Sequence, residues 1–152
     1  MKFHQKEKGF TIIEVVLVLA IAALIFLMVF IALPALQRSQ RDTARKSDVG
    51  IVSSAVSTYT GNNQGKFPAA GTTSLGNYVT NKSDNTSTIT VSADRGAQFF
   101  TVVDGEIRVT QQSICDSTDA DGKITLKVGT IRQYTVTTRL EEGSGAGYCQ
   151  NN

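Results

Sequence analysis

Glu14 is the one charged side chain inside a long apolar stretch near the start of the chain. Residues 15–33, which follow it, include no polar side chain, and a Lys8-Gly9 pair closely precedes it. A carboxylate in a bilayer core is costly because no water solvates it, so a plain membrane anchor has no use for one. We infer that this segment serves a protein assembly as well as lipid, where a cation can pair with Glu14. The alternative is that Glu14 reaches back to the membrane surface.

The apolar stretch has the length of a membrane-spanning helix. At ~1.5 Å per residue, residues 15–33 span roughly the ~30 Å hydrocarbon thickness. A removable secretory signal has a shorter apolar core and a small-residue cleavage site, which this sequence lacks. A simple single-pass anchor fits the length but leaves Glu14 unexplained. The flanking Lys and Arg residues do not decide the orientation.

The segment Lys8-Gly9-Phe10-Thr11-Ile12-Ile13-Glu14-Val15-Val16 resembles the class III signal of type IV prepilins and pseudopilins. The resemblance implies that prepilin peptidase cuts the leader after Gly9 and that the new N-terminal Phe10 is methylated. Residues 41–49, 59–68 and 139–149 are more loosely similar to pilins of the Gram-positive-type and candidate-phylum groups. Pro34 lies later than the proline of well-known pilins, and we expect a helix kink there.

The resemblance also implies an assembly and its partners. Subunits would be stored in membrane lipid with a cytoplasmic N-terminus, and an assembly platform with its ATPase would build them into an extracellular, homo-oligomeric helical filament. In that filament the Phe10 amine of one subunit would pair with Glu14 of a neighbour, which fixes the stacking register. The alternative is a pseudopilin or minor pilin of a type II secretion or DNA-uptake machine. An alternative of another class is a membrane-tethered surface binding domain that does not polymerise.

The periodicity predicts an α+β protein with one long N-terminal helix on a small antiparallel β-sheet. Apolar residues at helical spacing predict that the helix continues to about Asn62, where Gly61, Asn62 and Asn63 end it. The opposite face is predicted to be solvated and carries Arg41, Arg45, Asp48, Ser54 and Thr58. The expected division is a leader (1–9), an apolar helix (10–36), its amphipathic continuation (37–62) and an exported β domain (63–152).

Two β-hairpins are predicted in the second half of the chain. Asp104-Gly105 separates residues 98–103 from 106–110, and Gly129-Thr130 separates 123–128 from 131–138. Residues 88–92 are expected to add an edge strand. Residues 69–87 contain few apolar side chains and are expected to form a surface loop.

Cys115 and Cys149 are the only cysteines. Export favours a disulfide over two free thiols, and a thin-cored domain would gain stability from it. Two cysteines do not complete a zinc shell, so we expect no metal site and no cofactor.

The inventory of reactive groups indicates a protein that is not an enzyme. The sole histidine, His4, lies in the expected leader, and no nucleophile motif or phosphate loop is present. Asp116, Asp119 and Asp121 resemble part of a calcium loop, but a polar turn is the better interpretation. The net charge is +2, and four arginines are weak candidates for a DNA-binding patch: Arg95, Arg108, Arg132 and Arg139.

Overall fold

The structure is a computed structural model that describes residues 9–71 and 74–152. The chain forms two compact units, Met1–Gln37 and Arg38–Asn152. The helix α1 is Ile12–Asn62, and a short 3₁₀ helix is Glu142–Ser144. The strands are β1 (Thr88–Arg95), β2 (Gln98–Thr101), β3 (Glu106–Gln111), β4 (Ser113–Thr118), β5 (Lys123–Val128), β6 (Tyr134–Arg139) and β7 (Gly147–Asn151).

Hydrogen bonds to backbone carbonyl groups define both ends of α1. At the start, the Thr11 carbonyl accepts the N–H groups of Glu14 (3.1 Å) and Val15 (3.3 Å). At the end, the Tyr59 carbonyl accepts the backbone N–H of Asn63 (3.0 Å) and its side-chain amide (2.8 Å). Gly65 follows with φ +80°, a left-handed conformation that glycine adopts without steric cost. The predicted helix end at Asn62 is confirmed.

The strands form two sheets. The first has the order β1-β3-β6-β7, in which β1 runs parallel to β3 and the other pairs are antiparallel. The second has the order β2-β5-β4 and is antiparallel throughout. The predicted α+β class is confirmed, although the β structure is two sheets, one of them mixed, and not a single antiparallel sheet. The expected edge strand at residues 88–92 is β1.

Both predicted hairpins are wrong. The Asp104-Gly105 turn leads from β2 in the second sheet to β3 in the first, and Gly129-Thr130 leads from β5 to β6, again between sheets. A turn dipeptide specifies that the chain reverses direction. Which strands then pair depends on which apolar faces must be buried together. The hairpins that do form are β4–β5 and β6–β7. Their outer strands β4 and β7 were not predicted.

A disulfide between Cys115 and Cys149 links the two sheets, because Cys115 lies on β4 and Cys149 on β7. The Cα atoms are 6.0 Å apart, with a sequence separation of 34. Closing a loop of that length in the unfolded chain stabilises the folded state by about 3–4 kcal/mol in the chain-entropy description. That contribution is large for a domain with a small core.

The main part of the core lies between the first sheet and residues 49–56 of α1, and it is built largely from valine. Its main cluster is Val49, Val52, Val56, Leu75, Val91, Ile107, Val109, Tyr134 and Val136. A second, smaller cluster is Val102, Ile124 and Leu126. Within residues 69–87, the described part has no helix or named strand, as predicted, but Leu75 anchors it in the main cluster with 2% exposure.

The predicted solvent face of α1 is wrong at Arg45 and Asp48, whose exposures are 5% and 2%. The Asp48 carboxylate accepts hydrogen bonds from the Ser83 backbone N–H (2.8 Å), the Ser83 hydroxyl (2.6 Å) and the Thr86 hydroxyl (2.6 Å). Helical periodicity predicts that charged residues face solvent. A carboxylate can nevertheless be buried when a loop supplies several hydrogen-bond donors to it, as residues 83–86 do for Asp48. Asp48 therefore ties residues 83–86 to the helix.

Replacing Asp48 by alanine should destabilise the second unit by about 3 kcal/mol, because the donors of Ser83 and Thr86 lose their acceptor. Asp48→Asn keeps one acceptor oxygen and should cost less. Ser54→Ala is the matched control on the same helix, since Ser54 is exposed and its hydroxyl bonds only to the Gly50 carbonyl. Urea unfolding of the full chain in detergent measures the difference. Equal midpoints for Asp48→Ala and Ser54→Ala would contradict the anchoring role.

Candidate assembly site

The N-terminal segment places an exposed aromatic residue directly before a helix whose first turn carries a carboxylate. Gly9, Phe10 and Thr11 precede α1, and Phe10 is 84% exposed. Glu14 lies in the first helical turn, where the helix dipole favours a negative charge. It is exposed, and no ion pair involves it in the described part of the chain. The expected leader, residues 1–9, lies outside the described residues except for Gly9.

The first unit exposes a continuous apolar surface. Its large apolar side chains have exposures between 45% (Val29, Leu33) and 85% (Ile12). An 18-residue window of α1 has a mean hydropathy of 3.3 with none of it buried, and among the described residues α1 is the one helix long and apolar enough to cross a membrane. Soluble proteins rarely leave apolar surface of this extent uncovered. This surface therefore requires lipid or other protein chains around it.

Pro34 lies inside α1, which continues through it. Proline has no N–H, so the Phe30 carbonyl, four residues earlier, has no helical donor at this position. Such a position is the ordinary place for a helix to bend or to open. The kink at Pro34 stays a prediction.

A group of charged contacts that the sequence reasoning missed lies in the second unit. We call Arg41, Asp42, Arg45 and Glu141 the charge cluster. The Arg41 guanidinium Nε is 2.8 Å from each Glu141 carboxylate oxygen, and the Asp42 carboxylate accepts the backbone N–H groups of Glu141 (2.7 Å) and Glu142 (2.8 Å). Arg45 is buried and donates to Glu141 (3.1 Å). The charge cluster fixes the segment between β6 and β7 to the helix.

The charge cluster brings together two of the stretches that loosely resemble pilins. Residues 41–49 supply Arg41, Asp42 and Arg45, and residues 139–149 supply Glu141. Arg45 also donates to the Arg139 carbonyl (2.9 Å) and pairs with Asp104 (2.8 Å). The signal that could have revealed this contact is that both stretches carry closely spaced charges of both signs.

The hydrogen bond from Arg41 lowers the pKa of the Glu141 carboxyl from its usual value of 4.5, and burial opposes that shift. The positive charges of Arg41, Arg45 and Arg38 lower it further. The same hydrogen bond raises the pKa of Arg41. Glu141 is therefore ionised at neutral pH and stays so into moderately acidic solution.

The four arginines considered as a DNA-binding patch do not form one patch. The Arg108 guanidinium lies 4.6 Å from the centre of the Phe100 ring, and Arg139 donates to the Gly145 carbonyl (3.1 Å). Only Arg95 and Arg132 line the same cleft.

The aspartates before β5 form a polar turn. The Asp119 carboxylate accepts the backbone N–H groups of Asp121 (3.1 Å) and Lys123 (2.9 Å), and Asp116 pairs with Lys127 (2.6 Å). Local capping of this kind is typical of aspartate in turns. Within residues 9–71 and 74–152, no group of three or more His, Cys, Asp or Glu side chains is arranged to hold a metal ion.

A protein-family model, the prokaryotic N-terminal methylation motif, matches residues 4–30. The match includes Gly9, Phe10 and Glu14 and leaves residues 31–152 unmatched. No curated protein and no solved structure matches the chain. The chain thus carries the class III signal of type IV pilin-like and pseudopilin precursors, on an exposed apolar helix followed by a disulfide-linked β domain. This signal points to a structural protein that prepilin peptidase processes.

Replacing Glu141 by glutamine should lower the melting temperature at pH 7, by an amount equivalent to about 1 kcal/mol for a partly exposed charge pair. Because folding lowers the pKa of Glu141, its stabilising effect is full above the unfolded value of 4.5 and is lost as the pH falls through the lower folded value. The difference between wild type and Glu141→Gln should therefore shrink below about pH 4.5.

Thermal unfolding of both full-length proteins from pH 7 to pH 2.5 measures this effect. Glu142→Gln is the control, since the contact that residue 142 makes to Asp42 uses its backbone N–H and not its carboxylate. A difference for Glu141→Gln that does not change with pH would mean that the carboxylate charge is not what stabilises the charge cluster.

Proposed function

We propose that the protein is a structural subunit of a type IV pilus, a filament assembled from membrane-stored subunits after removal of the leader. The observation that carries this proposal is the exposed apolar first part of α1, with the methylation motif at its start and one carboxylate, Glu14, in its first turn. A helix that only anchors the chain in lipid does not require that carboxylate.

The proposed sequence of events begins in the membrane. Residues 1–9 form the leader, and residues 10–36 hold the chain in the bilayer with the N-terminus in the cytoplasm. Prepilin peptidase cleaves between Gly9 and Phe10, which gives Phe10 a positively charged amine that is then methylated. The assembly platform and its ATPase draw the subunit out of lipid.

Assembly then exchanges lipid contacts for helix–helix packing. The gain comes from close van der Waals contact, since lipid tails are as apolar as the helix surface. Glu14 gives this packing a register, because a carboxylate among apolar helices is tolerated only beside a cation. The amine of Phe10 in a neighbouring subunit supplies that cation. Any stacking that separates the two groups leaves a buried charge unpaired.

The second unit carries the part of the subunit that faces outward in the filament. Residues 37–62 continue the helix into this unit, and residues 63–152 supply the sheets. The Cys115–Cys149 disulfide supports an exported location, where thiols are oxidised. We propose a structural role and no catalytic one, because the methylation motif is that of filament subunits.

Mass spectrometry of the N-terminus of the mature protein tests the processing step. We expect a chain that begins at methylated Phe10. A chain that begins at Met1 would indicate a membrane-tethered domain, and cleavage near Ala35 would indicate a removed secretory signal. Recovery of the processed protein from sheared surface filaments would distinguish a pilus subunit from a pseudopilin retained at the cell envelope.

Glu14→Gln, which keeps the side-chain size and removes the charge, should leave the protein in the membrane and reduce filaments by at least about tenfold. A register contact of about 1.4 kcal/mol or more is sufficient for this loss. Val18→Ala is the control, because Val18 lies one helical turn further along the same face. Immunoblots of sheared and membrane fractions give both quantities. Normal filament yield from Glu14→Gln would contradict the role of Glu14 in register.

A further inference from the structure

A cleft in the second unit is lined by cations without a balancing acid. It lies where the segment after α1, the end of β1 and the turn after β5 meet, and it has a volume of about 670 Å³. Lys66, Arg95 and Arg132 line it, and no acidic side chain does. All three cations are exposed, and none forms an ion pair in the described part of the chain. We call this the basic cleft.

The β4–β5 turn, residues 119–122, has the opposite charge. We call it the acidic turn. Asp119 and Asp121 are exposed, and the Asp119 carboxylate holds the turn in shape by accepting two backbone N–H groups. The Asp121 carboxylate has no hydrogen bond or ion pair among the described residues. The acidic turn is therefore held in one shape and presents the unpaired carboxylate of Asp121 at its surface.

The basic cleft and the acidic turn lie at opposite ends of one strand. The acidic turn leads into β5 at Lys123, whereas Arg132 belongs to the turn that leaves β5 after Val128. At ~3.3 Å per residue, the two ends of β5 are roughly 17 Å apart. The two surfaces cannot meet within one copy of the chain, so each remains available to a second copy.

We propose that the acidic turn of one subunit binds in the basic cleft of the next subunit of the filament. Each copy presents both surfaces at different places, which makes the contact head-to-tail, and a head-to-tail contact that does not close into a ring generates an open helical filament. Ile131, which is 72% exposed at the edge of the cleft, adds apolar contact for Ala120 of the acidic turn. This inference rests on the filament function proposed above.

The chemistry favours another copy of the chain over an external anion. Every subunit brings one acidic turn for each basic cleft, so a filament supplies the complementary charge in a 1:1 ratio and at high local concentration. Complementary charges at a subunit contact also penalise arrangements that bring like charges together.

Reversal of single charges tests the contact. Asp121→Lys and Arg132→Glu should each lower the yield of sheared filaments by about fivefold, as expected for a lost ion pair with like charges opposed. The double variant Asp121→Lys/Arg132→Glu restores opposite charges between copies, and we expect its yield to return to within about twofold of wild type. Asp84→Lys, at an exposed site outside both surfaces, should have no effect. Failure of the double variant to recover would overturn the contact.

Cross-linking locates the contact directly. With Asp121→Cys and Arg132→Cys in one chain, mild oxidation of intact filaments should give a ladder of linked subunits on a non-reducing gel. Each single-cysteine variant and the pair Asp84→Cys/Arg132→Cys serve as controls and should not give the ladder.

The outcomes separate this inference from the function on which it rests. Wild-type filaments that form, with no ladder from the double-cysteine variant, would overturn the contact and leave the filament function intact. Wild-type protein that never enters filaments would overturn the proposed function itself. Normal filaments from Arg132→Glu that have lost retention of added single-stranded DNA would show that the cleft takes an external anion, and would also overturn the contact.

Discussion

The first part of α1 must be covered by something other than water, and the rest of the structure depends on this constraint. Uncovered apolar surface costs roughly 25 cal/mol per Å², and the large apolar side chains from Phe10 to Leu36 are all at least 45% exposed. Both lipid and neighbouring copies of the same helix can cover this apolar surface, and the two coverings are about equally favourable because lipid tails are as apolar as the helix. In the proposed assembly, movement between the two environments would have a small net cost, and a single polar group such as Glu14 would decide which arrangement of helices is preferred.

The second unit has to be stable with a core that is small and rich in valine. Three kinds of contact supplement that core: the disulfide between β4 and β7, the Asp48 contacts to Ser83 and Thr86, and the charge cluster. Hydrogen bonds that involve a charged group are stronger than neutral ones, and a buried carboxylate with several donors holds a loop in one position. The helix is thus attached to the rest of the second unit by polar contacts at residues 41–48 and by the apolar cluster from Val49 onward, where Tyr134 also forms hydrogen bonds with Ser53 and Ser57.

Sequence patterns predicted the elements of this protein better than their pairing. The helix end at Asn62 and the edge strand β1 follow from local signals, namely apolar spacing and turn residues. Strand pairing depends on which distant faces must be buried together, so Asp104-Gly105 could not reveal that β2 and β3 belong to different sheets. The burial of Arg45 and Asp48 depends on partners as distant as Glu141, which helical periodicity does not report. The N-terminal motif was readable because its residues are contiguous.

Directional assembly requires contacts that differ between the two sides of a subunit. The proposed pairing of the Phe10 amine with Glu14 has this property, since the donor precedes α1 and the acceptor lies in its first turn. The proposed contact between the acidic turn and the basic cleft has it as well, and it belongs to the other compact unit. The contact between the acidic turn and the basic cleft tolerates some error in stacking, because exposed charges are screened by salt and long side chains adapt. A filament that satisfies both proposed contacts would accept only the offsets common to them, so the surface contact would reinforce the register set by the buried pair.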